Sequence, residues 1–539
     1  MRILSVNIIA ADTCGGLLNN LEVLLRPPLD EQEKFSPICL IGPNGTGKSQ
    51  FLQIIAEIFQ SIFHTLVSKQ ERDEGNPGLQ FEIEYIIKPN KQKKYTRIKA
   101  ERKSEGRRKA TLTMYKREGN KWIDLVDPEV LDFLPQMVVG YTSGDNETLS
   151  LPFLLSRRGY AEEVRTHALS NASENDVIPD TKLMLIDYGT HLEVLVANLL
   201  LGSNLQTDAL LKYACLDKAF SFRCIIQLAH GAINKLPNVK LNKTRRKGIQ
   251  LTQELENYID YLTRCSTCYD YDEKTETYIF DFLVNEETRK AFAAFWPKGI
   301  FDLYSAFHKL SMLNDLAIPK LTRDRFKRET KARRFPSRLP EPQDEEKVFR
   351  FERVDFLAQG SNKIVDYVSL SDGEHQLAQL LGTFCMISFP NVLFLLDEPE
   401  SHFNPLWRTK FISRLLDLPT INGSRRDSII PAQQDCLLTT HSPFVPSDMQ
   451  RSNVIIFGKD ADQSRVVVKR PNIETYGATF DEILGECFGV TPPISQEPRS
   501  EIDTLMQSTD PDAIKSGIKR LGDSVEKIFL AERLRDLLK

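Results

Sequence analysis

The chain has 539 residues, of which 41% are hydrophobic and 27% charged, and its formal net charge is −4 at pH 7. This length allows two to four domains, and the near balance of charges excludes a polycation that binds nucleic acid over its whole surface. No apolar run approaches the ~20 residues that cross a bilayer. The N-terminal segment MRILSVNIIA is too short and too strand-like for a signal peptide. We therefore expect a cytoplasmic protein with no membrane partner.

The first 150 residues predict strands around a glycine-rich turn. Strands are expected at 2–9 and 37–41, and a helix from 48 to about 67 has apolar residues close to a 3.6 period. Residues 79–125 alternate apolar with polar side chains and predict an antiparallel meander. A further strand at 134–140 leads into a loop at 141–147.

The middle of the chain, 150–320, indicates mainly helix, with no heptad long enough for a coiled-coil arm. A basic stretch at 320–338 follows, then an acidic cluster at 344–346, which together indicate a linker or surface arm. Alternating strands and helices return afterwards, and the tail is charged and helical. We expect four parts, namely an N-terminal half-domain at 1–150, a mostly helical insertion at 151–345, a C-terminal half-domain at 346–475 and a tail at 476–539.

Nine cysteines are scattered along the chain, as expected for reduced thiols. Cys265 and Cys268 form a C-x-x-C pair, but a structural zinc site needs four ligands and no second pair stands nearby. Two ordinary cysteines are favoured over a zinc or redox site.

One segment matches the phosphate-loop pattern G-x-x-x-x-G-K-[ST] in full, after a buried strand and before a helix, which is the context that the pattern requires. Its glycines allow backbone N–H groups to turn towards phosphate, and the helix N-terminus adds partial positive charge. Lys48 is expected to reach the β- and γ-phosphates of ATP, and the Ser49 hydroxyl to bind Mg²⁺. The predicted nucleotide-binding residues are Gly42, Pro43, Asn44, Gly45, Thr46, Gly47, Lys48 and Ser49.

An apolar strand at 392–396 ends in two carboxylates, Asp397 and Glu398. A strand buried on both faces belongs in the centre of a parallel sheet, whose carboxyl end is where ligands bind. We expect Asp397 to hold Mg²⁺ and Glu398 to accept a proton from the attacking water. A second apolar strand, 436–440, ends at His441, which is placed to sense the γ-phosphate.

A fourth motif, Leu-Ser-Asp-Gly-Glu-His-Gln at 370–376, resembles the signature of ABC ATPases, although that family usually has glycine where Asp372 stands. The four motifs occur in the family's order, so the chain resembles an ABC-type head. The resemblance implies a homodimer in which Ser371 and Gly373 complete the partner's ATP site. It also implies a dimer-contacting loop at 401–405 and a Q-loop glutamine, for which Gln136 is the candidate.

About 320 residues separate Ser49 from Ser371, more than in a transporter subunit and fewer than in SMC proteins. This spacing and the meander resemble RecF and the ATPases of bacterial antiphage operons. Residues 138–147, 370–376 and 395–405 are most similar to the PtuA family of Septu and retron operons. That resemblance implies an HNH nuclease as partner and, in retron operons, a reverse transcriptase with RNA-linked DNA. The tail shows no nuclease pattern of its own.

The predicted fold is therefore an α/β P-loop ATPase head of ABC type with an antiparallel β-lobe and a mostly helical insertion. A RecF-like ATPase that clamps DNA without a nuclease is the alternative function, and a transporter subunit is disfavoured. Nucleic acid contact is a further hypothesis for the basic stretches at 320–338, 102–109 and 240–247. An exposed arginine-rich loop without a ligand is the competing interpretation.

Overall fold

The computed structural model describes residues 1–27, 34–89, 94–104, 110–126, 128–144, 148–169, 178–214, 216–229, 249, 251–331, 342–361, 363–420, 423–460, 462 and 465–538. The strands are β1 (Arg2–Ala10), β2 (Leu21–Leu24), β3 (Ile38–Ile41), β4 (Gln80–Ile87), β5 (Thr96–Lys103), β6 (Thr111–Glu118), β7 (Lys121–Asp124), β8 (Met137–Thr142), β9 (Leu183–Ile186), β10 (Leu216–Gln227), β11 (Cys268–Asp272), β12 (Thr277–Leu283), β13 (Phe349–Ala358), β14 (Ile364–Asp366), β15 (Val392–Asp397), β16 (Pro419–Thr420), β17 (Gly423–Ser424), β18 (Asp435–Thr440), β19 (Val454–Lys459) and β20 (Val466–Lys469).

The helices are α1 (Lys48–Leu66), α2 (Ser150–Leu169), α3 (His191–Leu201), α4 (Asn204–Leu211), α5 (Gln253–Cys265), α6 (Glu286–Phe295), α7 (Ile300–Met312), α8 (Lys320–Lys331), α9 (Asp372–Met386), α10 (Pro405–Arg408), α11 (Phe411–Leu416), α12 (Ile429–Ala432), α13 (Phe444–Ser447), α14 (Phe480–Phe488), α15 (Gln496–Gln507), α16 (Pro511–Arg520) and α17 (Val525–Leu537). No helix in the described part of the chain is both long and apolar enough to cross a membrane.

A seven-stranded sheet organises the molecule, in the order β20-β19-β3-β18-β15-β8-β9. All neighbours are parallel except β19 and β20. Strands β3, β8, β15 and β18 are buried along their whole length, as near-continuous apolar runs in a parallel sheet should be. The register sets Asp397 beside Thr142 and Thr440 beside Ile41, so the ends of four strands meet at one edge.

The predicted meander is present as a second, antiparallel sheet in the order β2-β1-β4-β5-β6-β7. Helix α1 shares a hydrophobic core with strands of both this sheet and the parallel sheet. Phe51, Phe59 and Phe63 on α1 are fully buried, and so is the polar Gln60. Burial around the whole helix shows that α1 is an internal element rather than an amphipathic surface helix.

A third sheet changes the interpretation of the insertion. Strands β11, β12 and β10 from the middle of the chain pair with β13 and β14 in the order β11-β12-β10-β13-β14, and β9 joins the parallel sheet. In the described residues the insertion is still mostly helical, through α2 to α8, but it also contributes four strands, β9 to β12, which the sequence did not predict. The expected boundary at 346 lies between β10 and β13, which are antiparallel neighbours. Burial alternates along β12, and its buried residues Phe280 and Phe282 lie in the larger hydrophobic core with residues of α5 and α6.

The tail is helical, as predicted, and has a small core of its own. Helices α15, α16 and α17 enclose Ile502, Leu505, Ile514 and Leu530, a cluster separate from the two larger cores. These helices make most of their contacts with one another. Helices α15 to α17 thus form a three-helix unit that follows 489–495, whereas α14, also within the expected tail, packs into the main core through Ile483 and Cys487.

Candidate nucleotide site

The phosphate loop lies between β3 and α1, as predicted. Gly42, Gly45 and Gly47 have φ values of 141°, 74° and 89°, in the region that only glycine adopts at little cost. A side chain at Gly42 would collide with the carbonyl oxygen of Phe457 on β19. Gly42 is therefore required both by the backbone path and by the neighbouring strand, whereas Gly45 and Gly47 are required by the backbone path.

Lys48 begins α1 and is 4% exposed. Its Nζ donates hydrogen bonds to the carbonyl oxygens of Gly42, at 2.8 Å, and Pro43, at 3.0 Å. Burial lowers the pKa of Lys48 to about 8, and the carboxylates of Glu398 and Asp397 oppose this shift. The ammonium group thus lies within the loop, where a phosphate oxygen would compete for it as a stronger acceptor.

Ser49 and Asp397, separated by 348 positions in the sequence, are in direct contact. Ser49 Oγ donates to Asp397 Oδ1 at 2.8 Å, and Thr439 Oγ1 on β18 donates to the same oxygen at 2.5 Å. Burial raises the pKa of Asp397, whereas the hydrogen bonds from Thr439 and Ser49 lower it, and burial is the larger effect. The hydroxyl and the carboxylate are therefore prepared to share one ligand.

Glu398 follows Asp397 and turns towards His441. The distance from Glu398 Oε1 to His441 Nε2 is 3.4 Å. Burial lowers the pKa of His441 to about 4, Lys48 acts in the same direction and Asp397 opposes. His441 is therefore neutral at pH 7, and this contact is not an ion pair at that pH. A neutral imidazole next to a partly exposed carboxylate suits proton acceptance by the carboxylate.

The signature loop forms the N-terminus of α9. Ser371 is the N-cap residue and forms a capping box with Glu374, whose Oε2 accepts from Ser371 Oγ at 2.7 Å and from Ser371 N at 2.8 Å. A Cβ on Gly373 would lie 2.9 Å from the carbonyl oxygen of His402. Among the described residues, no hydrogen bond or ion pair joins Ser371 or Gly373 to the phosphate loop.

The predicted dimer-contacting loop packs against the signature helix. Gln376 Nε2 donates to Ser401 Oγ at 3.2 Å, and Gln376 Oε1 accepts from the N–H of His402 at 3.0 Å. Asn404 caps the short helix α10, which begins at Pro405. Gln376 was not singled out from the sequence, although it is the last residue of the motif.

The structure does not bring Gln136 to this site. Gln136 precedes β8, and its N–H donates to the carbonyl of Asn391, which precedes β15. Both residues lie at the amino ends of parallel strands, the edge opposite to Asp397. Thr142 is the β8 residue paired with Asp397, so the nucleotide edge of β8 is formed by its last residue.

The donor set is compatible with Mg²⁺ and ATP. Mg²⁺ prefers oxygen ligands and is usually held by one or two protein groups together with phosphate and water. The Ser49 hydroxyl and the Asp397 carboxylate are such groups, and they already share a hydrogen bond. No group of three or more His, Cys, Asp or Glu side chains suited to a metal was found in the described ranges. Cys265 and Cys268 are free thiols.

The basic stretches at 102–109, 240–247 and 320–338 differ in how much of each the structure describes and in whether their side chains are already paired. Arg102 is 4% exposed and donates to Ser61 Oγ and to the carbonyl of Asn76, so it supports the fold and is not available to phosphate. Lys103 pairs with Glu82 and Glu101. Residues 105–109, 240–247 and 332–338 lie outside the described residues, while 320–331 form helix α8.

Comparison with known proteins agrees with this site. Residues 285–448, less than a third of the chain, match the family described as "AAA domain, putative AbiEii toxin, Type IV TA system". The matched segment contains the signature loop, the acidic strand end and His441. No curated protein matches the chain. Together, the fold, the site and this match support a P-loop ATPase of ABC/SMC-like type, a class that generally uses ATP and Mg²⁺.

Proposed function

We propose that this chain is the ATPase subunit of an antiphage defence system of the Septu or retron type. ATP binding closes two copies head to tail, and hydrolysis controls a separate HNH nuclease. The observation that carries the ATPase part of the proposal is the convergence of Ser49, Asp397, Glu398 and His441 at one edge of the parallel sheet. The defence context is supported by the similarity to PtuA and by the toxin description of the matched family.

In the proposed hydrolysis each residue of the site has a separate role. Lys48 exchanges its carbonyl partners for phosphate oxygens, and the N–H groups of the loop hold the remaining phosphate charge. Mg²⁺, when bound by Ser49 and Asp397, would neutralise charge on the phosphates. Glu398 accepts the proton of the attacking water, and His441 orients Glu398 and the γ-phosphate.

The exposed signature loop supports a composite site. Ser371 forms hydrogen bonds with Glu374 of its own helix rather than with the phosphate loop. A helix N-terminus with a serine cap is a suitable anion site, so a second copy would supply it to the γ-phosphate. On closure, Glu374 has to release the Ser371 hydroxyl.

The proposal is tested with the tagged wild-type protein and Glu398→Gln, each expressed together with its neighbouring genes. We expect the wild type to hydrolyse ATP, and Glu398→Gln to bind ATP, accumulate as a dimer and lose at least about a hundredfold in turnover. Mass spectrometry of the purified complexes should identify an HNH nuclease, and plasmid cleavage should depend on nucleotide. Normal hydrolysis by Glu398→Gln would refute the assigned base. ATP-dependent loading onto DNA with no nuclease bound would favour the RecF-like alternative.

A further inference from the structure

Two adjacent threonines end β18, the strand that runs between β3 and β15. Thr439 and Thr440 are both 0% exposed, and successive side chains of a strand point to opposite faces of the sheet. A buried threonine hydroxyl needs a hydrogen-bond partner, and it can donate and accept at once. Both hydroxyls do so, and they bridge different parts of the site.

Thr439 connects the two carboxylate residues of the acidic strand end. Its Oγ1 donates to Asp397 Oδ1 at 2.5 Å and accepts from the N–H of Glu398 at 3.0 Å. Glu398 has a φ of 46°, a left-handed conformation that a non-glycine residue adopts only when its surroundings impose it. The hydrogen bond to Thr439 is one such constraint, and it fixes the direction in which the Glu398 side chain leaves the main chain.

Thr440 connects the same loop to the histidine turn. Its Oγ1 donates to Glu400 Oε1 and accepts from the N–H of Ser442 at 2.9 Å. Glu400 is 3% exposed and lies two residues after Glu398. The Thr440 hydroxyl thus joins the residue that follows His441 to the chain that follows the acidic strand end.

We propose that Thr439 and Thr440 are positioning residues that set the geometry between the carboxylates and His441, a role that rests on the proposed ATP hydrolysis. Thr439 orients Asp397 and Glu398. Thr440 fixes the turn that carries His441 through the N–H of Ser442, and through Glu400 it connects this turn to the chain after the acidic strand end. Together they hold the Glu398 to His441 contact in a copy of the chain that has not closed on a partner.

The experiment separates this role from ordinary packing by comparing buried threonines. Thr439→Val and Thr440→Val remove each hydroxyl at nearly constant shape. Thr475→Val is the matched control, because Thr475 is equally buried and its hydroxyl donates to the main-chain carbonyl of Met449. ATP turnover, KM for ATP and the Mg²⁺ concentration for half-maximal rate are measured on the full chain.

We expect Thr439→Val to lower kcat about tenfold or more and to raise the Mg²⁺ requirement about threefold or more, with KM for ATP little changed. Thr440→Val should lower kcat about tenfold without moving the Mg²⁺ requirement, because Asp397 keeps its partners. Thr439→Ser and Thr440→Ser should restore kcat to within about threefold of wild type.

The two proposals fail in different ways. Absence of hydrolysis by the wild-type chain would refute the proposed function. Hydrolysis by the wild type together with valine variants that match Thr475→Val in kcat and Mg²⁺ requirement would refute the positioning role, as would failure of the serine variants to restore kcat. Thermal unfolding is measured first, and if a valine variant does not fold, alanine at the same position is compared with Thr475→Ala.

Discussion

Gln376 holds the main chain of His402, because its Oε1 accepts the His402 N–H at 3.0 Å while its Nε2 donates to Ser401 Oγ. One amide thereby couples the signature helix to the segment 401–405. In the proposed dimer the signature helix and the segment 401–405 both face the partner. Because the Gln376 amide connects them, a movement of one is transmitted to the other. Gln376 is 5% exposed, and loss of its amide leaves the N–H of His402 without its protein partner.

Gln376→Leu should therefore weaken ATP-dependent dimerisation and lower turnover at low protein concentration, while nucleotide binding by the monomer is kept. We expect the free energy of unfolding to fall by about 1–3 kcal/mol, the cost of an unsatisfied buried group. The matched control is Gln379→Leu, one turn along the same helix, where the amide bonds the carbonyl of Asp187 instead. If both variants dimerise equally well with ATP, Gln376 does not couple the two elements.

Mixing two inactive variants tests whether the site is shared between copies. Lys48→Ala disables the phosphate loop and Ser371→Arg disables the signature loop, so each homodimer should be inactive. In a head-to-tail heterodimer one of the two sites keeps both wild-type parts, so an equal mixture should recover about a quarter of wild-type turnover. Steady-state ATP hydrolysis against mixing ratio measures this. A mixture as inactive as its components would show that Ser371 does not act on the partner's nucleotide.

Asp397→Asn should leave the stability of the fold unchanged or higher and greatly reduce Mg²⁺-dependent ATP turnover. Burial raises the pKa of Asp397, so the charged carboxylate is a cost to the folded state, and the amide can keep one acceptor oxygen for Ser49 and Thr439. We expect a thermal midpoint at pH 7.5 that is equal to or above that of wild type, with Mg²⁺-dependent turnover at least about a hundredfold lower. Unchanged Mg²⁺ dependence would exclude Asp397 as a ligand.

Glu71 should make the stability of the fold depend on pH. This carboxyl is 0% exposed and accepts hydrogen bonds from Ser156 Oγ, at 2.5 Å, and from the N–H of Asp73, at 3.1 Å. Burial raises its pKa from 4.5 to about 7, against the effect of these hydrogen bonds. The folded state therefore binds the Glu71 proton more tightly than the unfolded state does. The stabilisation of the fold by this protonation is complete below pH 4.5 and is lost as pH rises through about 7.

Glu71→Gln, which keeps one donor and one acceptor, should be more stable than wild type at pH 8 by up to about 3 kcal/mol. At pH 4 the difference should nearly vanish, because both side chains are then mainly neutral in the unfolded as well as in the folded state. Denaturant unfolding at the two pH values measures this difference in the free energy of unfolding. Glu84→Gln, on the partly exposed face of β4, is the control. A stability difference that is the same at both pH values would contradict the raised pKa.

The nucleotide edge could be predicted because each motif stands directly after a short buried apolar strand. The strands preceding Gly42, Asp397 and His441 are recognisable without their partners, and parallel pairing brings their carboxyl ends together. The same rule explains the placement of Gln136. A residue that precedes a parallel strand lies at the amino edge, so strand direction already argued against it.

Other features depend on partners that are distant in the sequence. Strand β10 pairs with β13, which follows it only after most of the insertion. Buried and exposed residues do not alternate regularly along β10, so its sequence did not indicate a strand. Thr439 and Thr440 are typical strand residues, so their hydroxyl contacts could not be inferred without the loop that follows β15. Gln376 likewise became informative only when α9 was placed against 401–405.

The separate core of α15, α16 and α17 makes the tail energetically independent of the site. Substitutions around Ile514 or Leu530 should destabilise that unit and leave the parallel sheet unchanged, because distant clusters with no shared contacts contribute additively. The tail can therefore diverge in sequence faster than the phosphate loop without cost to hydrolysis. Related chains could therefore keep the same ATPase fold while their tail helices differ in sequence.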